Sequence, residues 1–191
     1  MPEGSMKVDS LGRLIMDDPR QAALICAAHR AVMEDQGNKY VEKPGTAWHF
    51  IQEDGEGVCR DFSLGFLAEL GAMGFPGPCL RVHTCWALSG IESAEDIEAG
   101  VQFGYLNHAV LGIVTTRGRF MCDSRRKVTT VPVQWDDPWF RNGYRFVSAQ
   151  SSGLPGPDGK MPPPWIDERK NTPEYKAGLK LWPIYSTRVQ P

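Results

Sequence analysis

The sequence has no surplus of basic charge: 21 Lys and Arg stand against 23 Asp and Glu, a formal net charge of −2. Binding to a phosphate backbone needs a basic excess, so a nucleic-acid partner is not expected. No apolar run approaches the roughly 18 residues that a membrane-spanning helix needs, so membrane insertion is not expected. There is no C-x-x-C pair, and the four His (His29, His49, His83, His108) fall at no zinc spacing with the five Cys. That argues against a structural zinc site. The cysteines (Cys26, Cys59, Cys79, Cys85, Cys122) are odd in number, in a chain too long to depend on disulfide staples. A reducing compartment or one working thiol fits them better than a disulfide framework. The N-terminus shows no basic region followed by an apolar one, so it carries no secretory signal as written. Gly4-Ser5-Met6 also reads as a cloning junction after a removed leader, which leaves both a cytoplasmic and a periplasmic location open.

The 191 residues fit one domain with a tail, and 41% hydrophobic with 23% charged residues is an ordinary globular composition. The domain is expected over 1–152. Eight of the 15 prolines lie beyond Gly153, so 153–191 is expected to be an irregular extension on the domain, anchored by Trp165, Trp182 and Tyr185.

Residues 19–35 read as a helix. Asp17 or Asp18 can cap it, and Pro19 suits its first turn. Leu24, Ala27, Ala28, Ala31 and Val32 form its apolar stripe, and Gly37-Asn38 stops it. Residues 38–56 read as a loop with a helical turn near 46–52. A second helix starts at Cys59, with Phe62, Phe66, Leu67, Leu70 and Met73 on one face, and Gly71, Gly74 and Pro76 end it. A strand over 80–88 follows, with Leu80, Val82, Thr84, Trp86 and Leu88 sharing a face. An acidic helical or looped stretch over 90–104 comes next. Strands at 106–114 and 119–124 are joined by the turn Thr115-Thr116-Arg117-Gly118, and a further strand lies at 143–149. Helices followed by a run of antiparallel strands make the fold class α+β.

The chemistry concentrates in Gly57-Val58-Cys59-Arg60-Asp61. A thiol at the first turn of an apolar helix sits among unpaired N–H groups and partial positive charge, which favour the thiolate. Alone, such a Cys is commonly just a small buried residue. The hairpin adds a base and a carboxylate. A four-residue turn pairs Val114 with Arg119, which sets Asp123 opposite Val110, diagonal to His108 on the same face. That spacing permits a His–Asp pair without requiring one. His83 is the fallback base. Donors for an oxyanion are the Cys59 N–H and the side chains of Gln52 and Trp48. Arg60 either lowers the thiol pKa, holds a substrate carboxylate or is simply solvated.

GVCRDFSLGFLAELGAMGF, then NHAVLGIV, then GRFMCDS resembles the transglutaminase-like core of the papain-like cysteine enzymes. The continuation HAVLGIVTTRGRFMCDSRRKVTTVPVQW with GYRFVSAQSS is similar to the bacterial transglutaminase-like cysteine proteinase family, over about residues 46–152. The resemblance implies a helix carrying the nucleophile packed on an antiparallel sheet. It also implies Cys59 as nucleophile, His108 as general base and acid, and Asp123 as the orienting carboxylate. A thiol-dependent peptidase acting on protein or peptide is then expected. The same triad would serve a transglutaminase-like acyltransferase or deamidase, and a non-catalytic binding module could keep the fold. The family pattern G-D-C-E-D supplies a calcium site in adhesin-cutting members. Here Val58 and Arg60 replace its flanking acids, so no metal or other cofactor is expected.

Overall fold

The computed structural model describes residues 6–41, 51, 55–103, 107–134, 137 and 143–151, with the backbone alone for 101–103 and 146–151. The expected turn near 46–52, Ile51 apart, and the extension over 153–191 lie outside the described residues.

Helix α1 (Pro19–Arg30) begins where the sequence places its cap. The Asp18 carboxylate accepts from Arg20 N–H at 2.8 Å, and Gln21 Oε1 accepts from Asp18 N–H at 3.2 Å, so two end donors are satisfied reciprocally. The chain continues through a wider π-helical turn (Ala31–Asp35) and leaves it at Gly37, where φ is 66°. The buried stripe is Ile25, Ala28 and Val32, flanked by Gln21, Cys26 and His29. Leu24, Ala27 and Ala31 are only half-buried. The stripe is thus rotated by one position, because the β-branched pair Ile25 and Val32, two turns apart, takes the core side.

Residues 38–56 are not simply a loop. β1 (Lys39–Tyr40) pairs in parallel with β2 (Glu56–Gly57), through Lys39 N–H to Gly55 O at 2.7 Å and Val41 N–H to Gly57 O at 2.9 Å. Two-residue strands carry no readable period, yet this pair fixes the chain just before α2 (Cys59–Ala72). Gly57 is closely packed there: a Cβ would stand 3.1 Å from Asp61 Cβ and 3.3 Å from Ile51 Cγ1, so those neighbours would have to give slightly. In α2, Phe62, Phe66, Leu67 and Leu70 are buried on the expected face, Met73 at its end is half-buried, and Leu64 is buried as well. The helix is apolar nearly all round because α1 covers one side and the sheet the other. Each such buried side chain contributes about 1.5–3 kcal/mol.

Among the described residues, five strands form one antiparallel sheet in the order β6-β5-β4-β3-β7. They are β3 (Leu80–Ala87), β4 (His108–Thr115), β5 (Gly118–Cys122), β6 (Val133–Gln134) and β7 (Tyr144–Ser151). In the β4–β5 hairpin Val114 pairs with Arg119 and Leu111 with Cys122, the register counted from the turn. Leu80, Val82, Leu111, Ile113, Phe120 and Cys122 join the helices in the main core. The opposite side of the sheet gathers Cys85, Ala87, Val110, Met121, Val133 and Tyr144. Ahead of α1, Leu14 bridges to Thr115 and buries itself completely. The α+β class is as expected.

The acidic stretch is a helix, α3 (Ala94–Phe103). Ser93 and Asp96 cap it: Asp96 N–H donates to the Ser93 hydroxyl at 3.1 Å, and Ser93 N–H to the Asp96 carboxylate at 3.1 Å. Ile97 packs with Trp86 and Leu88. A Cβ on Gly100 would fall 2.1 Å from Trp86 Cζ3. Helix propensity alone would make Gly100→Ala stabilising by about 1 kcal/mol. Overpacking against the indole outweighs that, and a net loss of about 1–3 kcal/mol is expected in urea unfolding. An unchanged or higher midpoint would show that the indole yields freely.

Candidate active site

The site is assembled where the start of α2 meets the start of β4. Val58 precedes the helix, and its N–H donates to the Asp61 carboxylate at 2.9 Å. That is half of a capping box, made by a buried acid in the first turn. The Ser63 hydroxyl donates to the Cys59 carbonyl at 2.8 Å. These bonds hold the first turn, so the Cys59 side chain leaves the helix at a fixed angle. The Cys59 N–H lies among the first-turn donors that no intrahelical carbonyl reaches.

His108 is held by the sheet. Asn107 extends the ladder ahead of it: its backbone N–H donates to Cys85 O at 3.1 Å, its side-chain oxygen accepts from Ala87 N–H at 2.7 Å, and its side-chain amide donates to Ala87 O at 3.0 Å. His108 then pairs with Cys85 across β3. Asp123 follows β5 directly. His108 Nε2 meets Asp123 Oδ1 at 2.7 Å, with both side chains at most 3% exposed. The Cys59 thiol interacts with the same His108 side chain. The structure thus brings Cys59, His108 and Asp123 together, with a hydrogen bond between the last two and an electrostatic interaction between the first two.

The electrostatics follow from that chain. Burial pushes the Cys59 thiol up, but the His108 hydrogen bond and charge, the Ala109 N–H and the Arg60 charge outweigh it, and the thiol is held below its ordinary value. Burial pushes His108 down, yet its hydrogen bonds and charge attraction with Asp123 and Cys59 win and raise it to about 9. Asp123 is opposed by burial too; His108, the Arg125 N–H and the Tyr144 hydroxyl keep it below the ordinary carboxylate value. The shifts of Cys59 and His108 both run toward the thiolate and the imidazolium.

Two contacts of Asp123 were not read from the sequence. The Tyr144 hydroxyl donates to Asp123 Oδ2. His29, buried on α1, bonds through Nε2 to the Asp123 backbone carbonyl at 3.0 Å and stands edge-on to Phe66 at 5.2 Å. Burial pushes His29 down, so it is neutral there, with its proton on Nε2 facing the carbonyl. No local pattern marks His29, whose partner is 94 residues away. Tyr144 had a faint signal, a polar aromatic at the start of a strand.

The other expected positions separate cleanly. Trp48 and Gln52 lie outside the described residues. His83 is buried opposite Val110 on β3 and pushed well down by burial and by Arg119 and Arg81; the thiol interacts with His108 instead. The other four cysteines are free and buried, and burial raises all of them, Cys79 to about 12.

No protein-family model and no curated protein matches the chain. Among solved structures it is similar to calcium-bound LapG of Legionella pneumophila, at 18% identity over 86% of this chain and 81% of that one, with a TM-score of 0.50. The EGTA-treated form gives 18% identity over 87% and 81%, with a TM-score of 0.47. A further LapG structure gives 19% identity over 62% and 58%, with a TM-score of 0.41. The likeness to the calcium-bound structure fixes the fold as an α+β core of the papain-like, transglutaminase-like kind.

Proposed function

We propose that this protein is a cysteine peptidase in which Cys59, His108 and Asp123 act as the catalytic triad. The observation that carries the reading is the buried hydrogen bond of His108 Nε2 to Asp123 Oδ1 at 2.7 Å, made by a His108 that also interacts with the helix-start thiol of Cys59. The shared fold with LapG, itself a cysteine protease, supports it. The Cys59 thiolate attacks a peptide carbonyl and forms a tetrahedral oxyanion. The Cys59 N–H at the start of α2 is the backbone donor proposed for that charge, and Gln52 and Trp48 are the side chains proposed to assist. His108 gives its Nδ1 proton to the leaving amine, and a thioester remains. Neutral His108 then takes a proton from water, which attacks the thioester and releases the acid. Thiolate and imidazolium are restored, with Asp123 ionised throughout and holding the ring in place.

A protein or peptide substrate follows from this reading. No described helix is long and apolar enough to cross a membrane. LapG has been seen with calcium, but among the described residues the groups flanking Cys59 do not fit that ion. The Val58 side chain has no oxygen, Arg60 is cationic, and the Asp61 carboxylate already accepts from Val58 N–H. We propose catalysis without calcium at this motif.

One assay tests these points. The protein is expected to cleave members of a peptide library, at a rate that EGTA changes by less than about twofold. Loss of activity on chelation, restored by calcium, would contradict the calcium reading. Products carrying an added amine in place of hydrolysis would make the enzyme an acyltransferase.

A further inference from the structure

We propose that Tyr144 is a positioning residue for the triad: its hydroxyl holds Asp123 Oδ2 so that Oδ1 stays aimed at His108 Nε2. The inference rests on the triad reading above.

The geometry separates the two oxygens of one buried carboxylate. Oδ1 accepts from His108 Nε2 at 2.7 Å and from Arg125 N–H at 3.0 Å. Oδ2 accepts from the Tyr144 hydroxyl. A carboxylate bound through one oxygen alone can rotate about its Cβ–Cγ bond; a donor on the second oxygen fixes its plane. Tyr144 is itself immobilised. It is fully buried, its ring lies 5.6 Å from the His108 ring, and the Arg125 guanidinium sits over it at 5.5 Å. The Asp123 main chain is pinned separately: its carbonyl accepts from His29 Nε2 at 3.0 Å and from Arg126 N–H at 3.2 Å. Backbone and side chain are therefore fixed by different elements, α1 and β7. Burial and the adjacent Asp123 charge push the Tyr144 hydroxyl up, so it is a proton donor at any working pH.

Among the described residues, the charged and titratable groups around His108 and Asp123 are Cys59 on α2, Cys85 on β3, Cys122 on β5, His29 on α1, Tyr144 on β7 and Arg125 in the following turn. Among them Tyr144→Phe removes one oxygen and keeps the ring contacts. The His108 imidazole is to be titrated by NMR in the unmutated protein and in Tyr144→Phe, with kcat and KM for a cleaved peptide. The expected result is a roughly tenfold weaker hold on the His108 proton and a roughly tenfold lower kcat, with KM unchanged. In an Asp123→Asn background, Tyr144→Phe should then add less than about twofold. A His108 titration that stays in place or moves up overturns the proposal, as does a full tenfold loss without Asp123. Lower thermal stability alone, with an unmoved titration, makes Tyr144 structural only and overturns it too. A titration at the ordinary imidazole value in the unmutated protein removes the triad reading and this one together.

Discussion

Cys59→Ala is expected to lower peptide hydrolysis by at least about 10⁴-fold while the protein still folds. Removing a nucleophile removes the covalent route, and what survives comes from binding and oxyanion donors. The folding cost is small, about 1 kcal/mol, because one sulfur is lost from a site that is 8% exposed. None of the other thiols can replace it, since Cys26, Cys79, Cys85 and Cys122 are buried and raised by burial. Steady-state hydrolysis alongside a thermal melt checks this. A folded variant that keeps more than about 1% of the rate would remove Cys59 from the chemistry.

Asp123→Asn is the second large effect, a loss on the order of 10²–10³ in turnover. The amide can accept from His108 through its oxygen, but it offers no charge to support the imidazolium. The loss is smaller than in serine enzymes because the helix terminus already favours the thiolate. Stability falls as well. Asp123 is 2% exposed and accepts through both oxygens from His108, Arg125 and Tyr144, so the amide leaves donors facing donors, at a cost of about 1–3 kcal/mol. The sign with pH follows from the depressed carboxylate. Folding favours the ionised form, so Asp123 stabilises the fold above its ordinary value of 3.8, and that contribution fades as pH falls through the lowered one. Turnover is to be compared at a temperature where melts show both proteins folded. Near-normal turnover in the folded variant would make Asp123 a structural carboxylate.

The hairpin was legible because a strand has a period of two and a turn has a countable length. Once Val114 pairs with Arg119, the placement of Asp123 near His108 follows by arithmetic. The start of α2 was legible from Gly57 and the apolar period after Cys59. The β1–β2 pair was not, because two residues cannot display a period and their partners are 17 residues apart. Nor was the burial of His29: the Ala-rich helix placed its stripe one position away, and the carbonyl that His29 meets belongs to the far end of the hairpin. Local pattern recovers elements and register; contacts made by folding α1 and β7 onto Asp123 need the tertiary structure.

The claim that most needs testing is that Cys59 rests as a thiolate paired with the His108 imidazolium. Its alkylation by iodoacetamide is to be followed from about pH 4 to 9, with the modified cysteine mapped by peptide mass. The predicted result is labelling confined to Cys59 among the five cysteines, with a rate that has already risen well below the ordinary thiol value of 9.0. A rate that rises only near that value, or labelling spread over the other cysteines, would contradict the account.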